Sequence, residues 1–252
     1  MRLFCDNITM IYKAEKTLSY SELDFKGFWK PENIFLTMQE AAGIHATRLG
    51  AGYEALKQIG ITWVLVKSAL KMEKYPGTGT KVCITTWPAP ERRMFFPRFF
   101  IFQDEAGNLL GTASTLWALM DISTRTIVAP AAKGVTLPTP AEGPMKLELP
   151  GKIRVPEGEI KTDTVVPKYS DLDINCHVNN SKYIDWFTDH IPLDVHKNGH
   201  LTEIAISYSK EIVSGENVCL EFSRNDNQFR LAGKNGDQTY FVVNANWTEE
   251  TK

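Results

Sequence analysis

An internal repeat constrains this chain more than any other feature. Tyr20-Ser21-Glu22-Leu23-Asp24 returns 149 residues later as Tyr169-Ser170-Asp171-Leu172-Asp173, with four of five residues identical. Gly79-Thr80-Lys81-Val82-Cys83-Ile84 then returns as Gly215-Glu216-Asn217-Val218-Cys219-Leu220, 136 residues later and in the same order. Two ordered matches mark a duplication, and a duplicated chain folds as two copies of one unit. The spacing shrinks by 13 between landmarks, so the first copy is the longer. Six of the thirteen prolines lie between Pro130 and Pro156. Proline fixes φ and donates no backbone hydrogen bond, so this stretch predicts an extended surface crossing. The expected division is 1–128, a linker over 129–160, and 161–252.

Each copy reads as an extended lead-in, one helix and several strands. Pro31 suits a first helical turn, and Ile34, Phe35, Met38, Ala41, Ala42 and Leu49 recur near helical spacing. A bend is expected at Gly50-Ala51-Gly52. Strands follow near 63–74, 80–87, 93–103 and 109–121. In the second copy Asn179 or Asn180 caps a helix carrying Tyr183, Trp186 and Phe187. Strands are expected near 202–213, 217–223, 228–232 and 239–247. A helix followed by antiparallel strands, twice, is α+β. A twisted sheet wrapped around one apolar helix is the hotdog arrangement, so the chain predicts a double hotdog.

The formal net charge is -2, which gives no general attraction to nucleic acid or to an anionic membrane. No run approaches the ~18–20 apolar residues of a membrane span. The start reads as cytoplasmic, without an apolar or Arg/Ser-rich leader. Cys5, Cys83, Cys176 and Cys219 form no CxxC, and Cys83 and Cys219 sit in apolar runs as small buried hydrophobes.

The densest polar run is Asp171-Leu-Asp-Ile-Asn-Cys-His-Val-Asn-Asn180. If residues 173–177 are extended, Asp173, Asn175 and His177 share one face, and Ile174 and Cys176 the other. The first copy reads Asp24-Phe25-Lys26-Gly27-Phe28: it keeps the Asp and loses the Asn and His. One competent site, in the second copy, is expected. Turn and cap duty is the plainer reading of these residues.

This run through Ser181-Lys182-Tyr183 resembles the signature of the acyl-ACP thioesterases of plants and bacteria. Trp63-Val-Leu-Val66, Tyr75-Pro-Gly-Thr-Gly79, Thr85-Thr-Trp87 and Thr115-Leu-Trp117-Ala-Leu-Met-Asp121 resemble other stretches of that family in order. The resemblance implies a double hotdog that hydrolyses acyl-ACP thioesters without a cofactor or metal, with acyl carrier protein as partner. It places the family's Asp, Asn and His on Asp173, Asn175 and His177, and its downstream acid on Glu211. The Cys that often follows that acid is Ile212 here, so a cysteine nucleophile is not expected; Cys176 is no substitute.

Thioester hydrolysis needs an activated water and a stabilised oxyanion more than a strong general acid, because a thiolate leaves well. Glu211 is the expected base, with Asn175 positioning water. His177 is expected neutral beside a helix N-terminus, oriented by Asp173; base duty on Asp173 fits the sequence equally. Backbone N–H groups of Val178 and Asn179 are candidate oxyanion donors. By strand alternation Glu211 falls with Ala205, Ser207 and Ser209, a solvated face unless a bulge turns it.

His45 reads as a packing or surface histidine, and the spacing of His190, His196 and His200 is poor for metal. Arg92, Arg93 and Arg98 are candidates for docking an acidic carrier protein, or an ordinary solvated rim. A hotdog acyl-CoA thioesterase, a hotdog dehydratase and a non-catalytic acyl-ACP binding protein are the competing functions. Chain length stays open, as does monomer versus homodimer.

Overall fold

The computed structural model describes residues 9–249. Cys5 lies outside them. The first half contains β1 (Tyr12–Thr17), α1 (Pro31–Arg48), α2 (Tyr53–Gln58), β2 (Ile61–Met72), β3 (Lys81–Pro88), β4 (Phe95–Gln103), β5 (Leu109–Asp121) and the short β6 (Ile127–Val128). The second contains β7 (Ile160–Val165), α3 (Lys182–Asp189), α4 (Leu193–Asn198), β8 (Gly199–Tyr208), β9 (Val218–Asn225), β10 (Gln228–Asn235) and β11 (Gln238–Glu249). Residues 134–159 hold no helix or strand.

All strands join one antiparallel sheet in the order β1-β3-β4-β5-β2-β8-β11-β10-β9-β7, with β6 on β5. The halves meet where β2 pairs with β8, and Ala69 there faces Ala205. These two residues are 136 apart, the spacing of the second sequence match. Lys67 faces Ser207 and Lys71 faces Glu203, so a pseudo-twofold axis passes through the Ala69–Ala205 pair. The irregularities repeat too. The β2–β5 register skips Val66 and the β8–β11 register skips Thr202, again 136 residues apart. The fold is α+β, a double hotdog.

Helix α1 buries Ile34, Phe35, Met38, Ala41, Ala42, His45 and Ala46, the stripe that the spacing predicts. It stops where predicted. Gly50 takes φ +77; its N–H donates to Thr47 O (3.0 Å) and the N–H of Ala51 to Ala46 O (2.9 Å), a left-handed glycine cap. A Cβ on Gly52 would lie 2.4 Å from Thr47 Oγ1, so the chain can turn back there only with glycine.

The second helix is much shorter. α3 has 8 residues against 18 in α1, so the 13-residue deficit of the second copy falls in its helix and the turn beyond. Tyr183, Ile184, Trp186 and Phe187 bury its apolar face. Lys182 ties the halves together: its Nζ donates to Glu32 on α1 (3.0 Å) and to Asp185 (2.8 Å). One large core spans both halves, and a smaller cluster of Leu56, Ile61, Phe96, Leu119 and Val135 sits under α2.

The extended lead-in segments are strands, β1 and β7, each at one end of the sheet. Two sequence expectations need correction. β8 stops at Tyr208, five residues before the expected end. Cys83 and Cys219 are half-buried.

Candidate functional site

The polar run is a tight turn and not an extended strand. Asp173 N–H donates to His177 O (2.8 Å) and Cys176 N–H to Asp173 O (3.0 Å). The Asp173 Oδ1 accepts from the backbone of Asn175 (2.8 Å) and His177 (3.3 Å). Cys176 takes φ +59 and is exposed. An Asp side chain that can accept from its own downstream backbone favours this turn over extension. The expected common face of Asp173, Asn175 and His177 therefore does not exist. The first half makes the same turn. Asp24 Oδ1 accepts from Lys26 (2.8 Å) and Phe28 (2.9 Å), and Gly27 takes φ +80. The carboxylate of Asp173 thus performs a task that Asp24 performs where no histidine follows. Both of its bonds go to backbone, and neither goes to the His177 ring.

A second repeated device delivers Glu211. Ser209 and Lys210 both donate their N–H to Tyr240 O (2.7 and 3.2 Å), a bulge that ends β8 and breaks its alternation. Glu73 and Lys74 do the same to Leu110 O (2.9 and 3.1 Å). The residue that follows is turned toward the polar loop in both halves. In the first half Tyr75 stacks on Phe28 (ring centroids 5.6 Å apart). In the second, Glu211 Oε2 lies 3.6 Å from His177 Nε2. The fold builds the same scaffold twice, and only the second copy carries an acid and an imidazole on it.

Arg125, which sequence reasoning missed, completes the pair from the other half. It sits at φ +57 in the turn after β5. There Asp121 Oδ1 accepts from the Ser123 hydroxyl (2.6 Å) and from the backbone of Thr124 (3.2 Å) and Ser123 (3.0 Å). The hydroxyl bond first, then the Thr124 bond and Lys133, hold the Asp121 carboxyl well below the usual carboxylate range. The Arg125 guanidinium pairs with Glu211 Oε2. Burial lowers the pKa of His177, the Arg125 cation lowers it further, and Asp173 opposes both. These influences favour the neutral imidazole, and the helix dipole is not among them. The helix begins at Lys182, five residues beyond His177, so its dipole is not the cause.

The expected oxyanion donors are already engaged. Val178 N–H donates to Ile212 O (2.8 Å) and Asn179 N–H to Asp171 O (2.8 Å). Trp29 and Lys30 make the same bonds in the first half, to Pro76 O and Glu22 O. These bonds close the loop onto the sheet and leave neither N–H free. The Asn179 side chain accepts from Ser181 N and Oγ (both 3.0 Å) and leads the chain into α3. Ile212, at the position of the family's cysteine, is fully buried.

A largely apolar cavity of about 200 Å³ adjoins this loop. Asn175 is its one lining residue from the second half. Its roof is Gln39, Ala42, Gly43 and Ala46 of α1, and its walls include Trp63, Phe96 and Trp117. Trp63 donates to Ala51 O (2.8 Å) and packs edge-on against Phe96. Part of the roof and the Gly52-Tyr53 wall come from the segment that the second copy lacks, so the insertion builds the cavity. The pseudo-symmetric hollow is larger, about 840 Å³. It is lined by Asp24, Lys26, Phe28 and Tyr75 and carries no counterpart of the His177–Glu211 pair.

The remaining candidates fall elsewhere. His45 is buried, its Nε2 donating to Thr9 O (3.1 Å) while its Nδ1 accepts from Arg98 (3.0 Å). Burial, then the Arg98 charge, takes its pKa down to about 4. Arg98 is 5% exposed and lines the cavity, so it cannot dock a partner; Arg92 and Arg93 are exposed. His190 and His196 bond the backbone of Trp186 and Thr188. Among the described residues no group of three or more His, Cys, Asp or Glu is arranged to hold a metal, and no helix is long and apolar enough to cross a membrane.

Fold and site together define a double-hotdog protein with one elaborated and one degenerate site. Residues 9–132 match the acyl-ACP thioesterase N-terminal domain and residues 156–249 the acyl-ACP thioesterase C-terminal domain. The chain belongs to the acyl-ACP thioesterase family. A crystal structure of an acyl-ACP thioesterase from Bacteroides thetaiotaomicron superposes with a TM-score of 0.87 at 25% identity, covering 95% of this chain and 98% of that one. The 12:0-ACP thioesterase from Umbellularia californica shares the fold, with a TM-score of 0.78 at 19% identity over 96% of this chain and 98% of its own. A palmitoyl-acyl carrier protein thioesterase of Gossypium hirsutum is 28% identical over 196 residues, 71% of this chain and 47% of the relative. The chain spans about half the length of several curated relatives it matches.

Proposed function

We propose that this chain hydrolyses the thioester of fatty acyl-ACP to free fatty acid and ACP, with the acyl chain in the α1-roofed cavity. One observation carries the reading: the acid–imidazole pair faces across a loop whose Asn175 lines an apolar cavity, while the duplicated scaffold carries Tyr75 and Phe28 instead. Glu211 Oε1 takes a proton from a water held by Asn175. The hydroxide attacks the thioester carbonyl, and the tetrahedral oxyanion collapses with cleavage of C–S. The proton that Glu211 took from water passes through His177 to the leaving sulfur, which departs as the thiol, and the imidazole ends neutral as it began. Asp173 acts by holding the turn that aims Asn175 and His177. General-base duty of this kind is worth about 10²–10⁴ in rate. Acyl carrier protein is the partner, the chain divides at 1–128, 129–160 and 161–252, and the free thiols of Cys83, Cys176 and Cys219 suit a reducing, cytoplasmic setting.

Thiol release from medium- and long-chain acyl-ACPs, beside matched acyl-CoAs, tests this. Wild type turns over ACP thioesters, and His177→Ala and Glu211→Gln lose at least about a hundredfold. Near-normal activity in Glu211→Gln removes it as base. Equal turnover of acyl-CoA removes the carrier protein from the reading, and no turnover on any ACP thioester removes the activity.

A further inference from the structure

With Val178 and Asn179 spoken for, an oxyanion in this site needs another donor. The Nε2 of Gln39 is buried and has no hydrogen-bond partner among the described residues. A buried amide donor left unpaired costs about 1–3 kcal/mol, which a folded protein tolerates where a ligand supplies the acceptor. Gln39 lies mid-helix on α1, between the buried Met38 and the roof residues Ala42 and Gly43. It lines the same cavity as Asn175 and also an enclosed void beyond, bounded by Phe35, Leu65, Phe100 and Trp117. Trp117 Nε1 is already committed to Thr115 (2.9 Å). One Arg98 nitrogen is committed to His45 and Thr86 (3.0 and 3.3 Å).

We propose that the Gln39 side-chain amide is a catalytic donor from the first half, binding the thioester carbonyl oxygen and stabilising the oxyanion formed on it. It is placed by α1 opposite the loop that carries Asn175 and His177. This rests on the hydrolase reading above and adds a residue to it. The catalytic centre is then shared: base and imidazole come from the second half, and Arg125 and the oxyanion donor from the first. The shortened α3 ends at Asp189, and the residue 149 positions beyond Gln39 is Thr188, whose hydroxyl donates to Asp185 O (3.0 Å). The degenerate half thus lacks the donor as well as the acid and the imidazole.

Gln39→Met removes the N–H groups and nearly preserves shape. Because the amide has no protein acceptor, the variant melts at or above the wild-type temperature. Its kcat on the best acyl-ACP falls about 10²–10³-fold, as on loss of one oxyanion donor, while KM stays within about threefold. Gln39→Glu, which is similar in shape but loses the amide donor, fails alike near pH 8. Retention of kcat within fivefold in Gln39→Met overturns the assignment, as does a lowered melting temperature, which would reveal a structural partner. Wild-type inactivity on every acyl-ACP overturns the hydrolase reading instead.

Discussion

Replacing Asp173 separates chemistry from scaffolding, because Asp24 supplies an internal control. Each carboxylate accepts two backbone N–H groups within its turn, at 2.8 and 3.3 Å for Asp173 and at 2.8 and 2.9 Å for Asp24. At about 1 kcal/mol net for each bond in these half-exposed loops, Asp173→Ala and Asp24→Ala each lose about 2 kcal/mol. For a chain of this size that lowers Tm by about 4–8 °C. The two variants should melt alike. Only Asp173→Ala should lose turnover, since only its turn carries Asn175 and His177. The decisive variant is Asp173→Asn, which keeps an Oδ1 acceptor and discards the charge. If the carboxylate serves the turn, Asp173→Asn retains activity within about tenfold of wild type. Melting curves and kcat on one acyl-ACP suffice. An Asp173→Asn protein that melts like wild type yet is as inactive as Asp173→Ala would refute the scaffold role and return the carboxylate to the chemistry.

Three further outcomes follow. Arg125→Ala removes a cation that depresses the pKa of His177, so the acid limb of the kcat/KM profile should move to higher pH; an unmoved limb excludes Arg125 from the site. His45 is held at about pKa 4 against an ordinary 6.5. The unfolded chain takes up this proton first, so the stability is complete above pH 6.5 and is lost as pH falls toward 4. The loss is at most about 3 kcal/mol, less where solvent screens the ring, and urea titrations at pH 7 and 4.5 should show it shrinking in His45→Gln. Gly43 sits inside α1, where an added Cβ would meet no atom within 4 Å, and lines the cavity. Gly43→Ala should stabilise by about 0.5–1 kcal/mol, and Gly43→Leu should shift turnover toward shorter acyl chains in a chain-length panel.

Much of this protein is legible in one dimension. Duplication shows as the two ordered matches, because both copies must satisfy the same turns and strand starts. The α1 stripe and its glycine stop are local, set by helical period and by a φ that Gly50 adopts freely. The loss of Asn and His from the first copy already points to the second copy for the candidate site. Other features depend on contacts between distant segments. Whether residues 173–177 run straight or turn is decided by a side chain bonding its own backbone, which alternation does not register. Glu211 lies on the solvated face by counting, and a bulge against Tyr240 O rotates it to His177. Val178 and Asn179 look like free donors until the loop docks on Ile212 and Asp171.

The repeated unit, and the motifs that resemble the family, can be read from the chain in order, and those motifs name the groups proposed as reactive. Which groups meet is a matter of three-dimensional packing. Arg125, and the Gln39 proposed as a donor, lie far from the polar run in sequence and come near it because β2 pairs with β8 and sets the two halves about one axis. The cavity, too, exists because α1 is long where α3 is short, which leaves an apolar hollow on one side of that axis, the space proposed for the acyl chain.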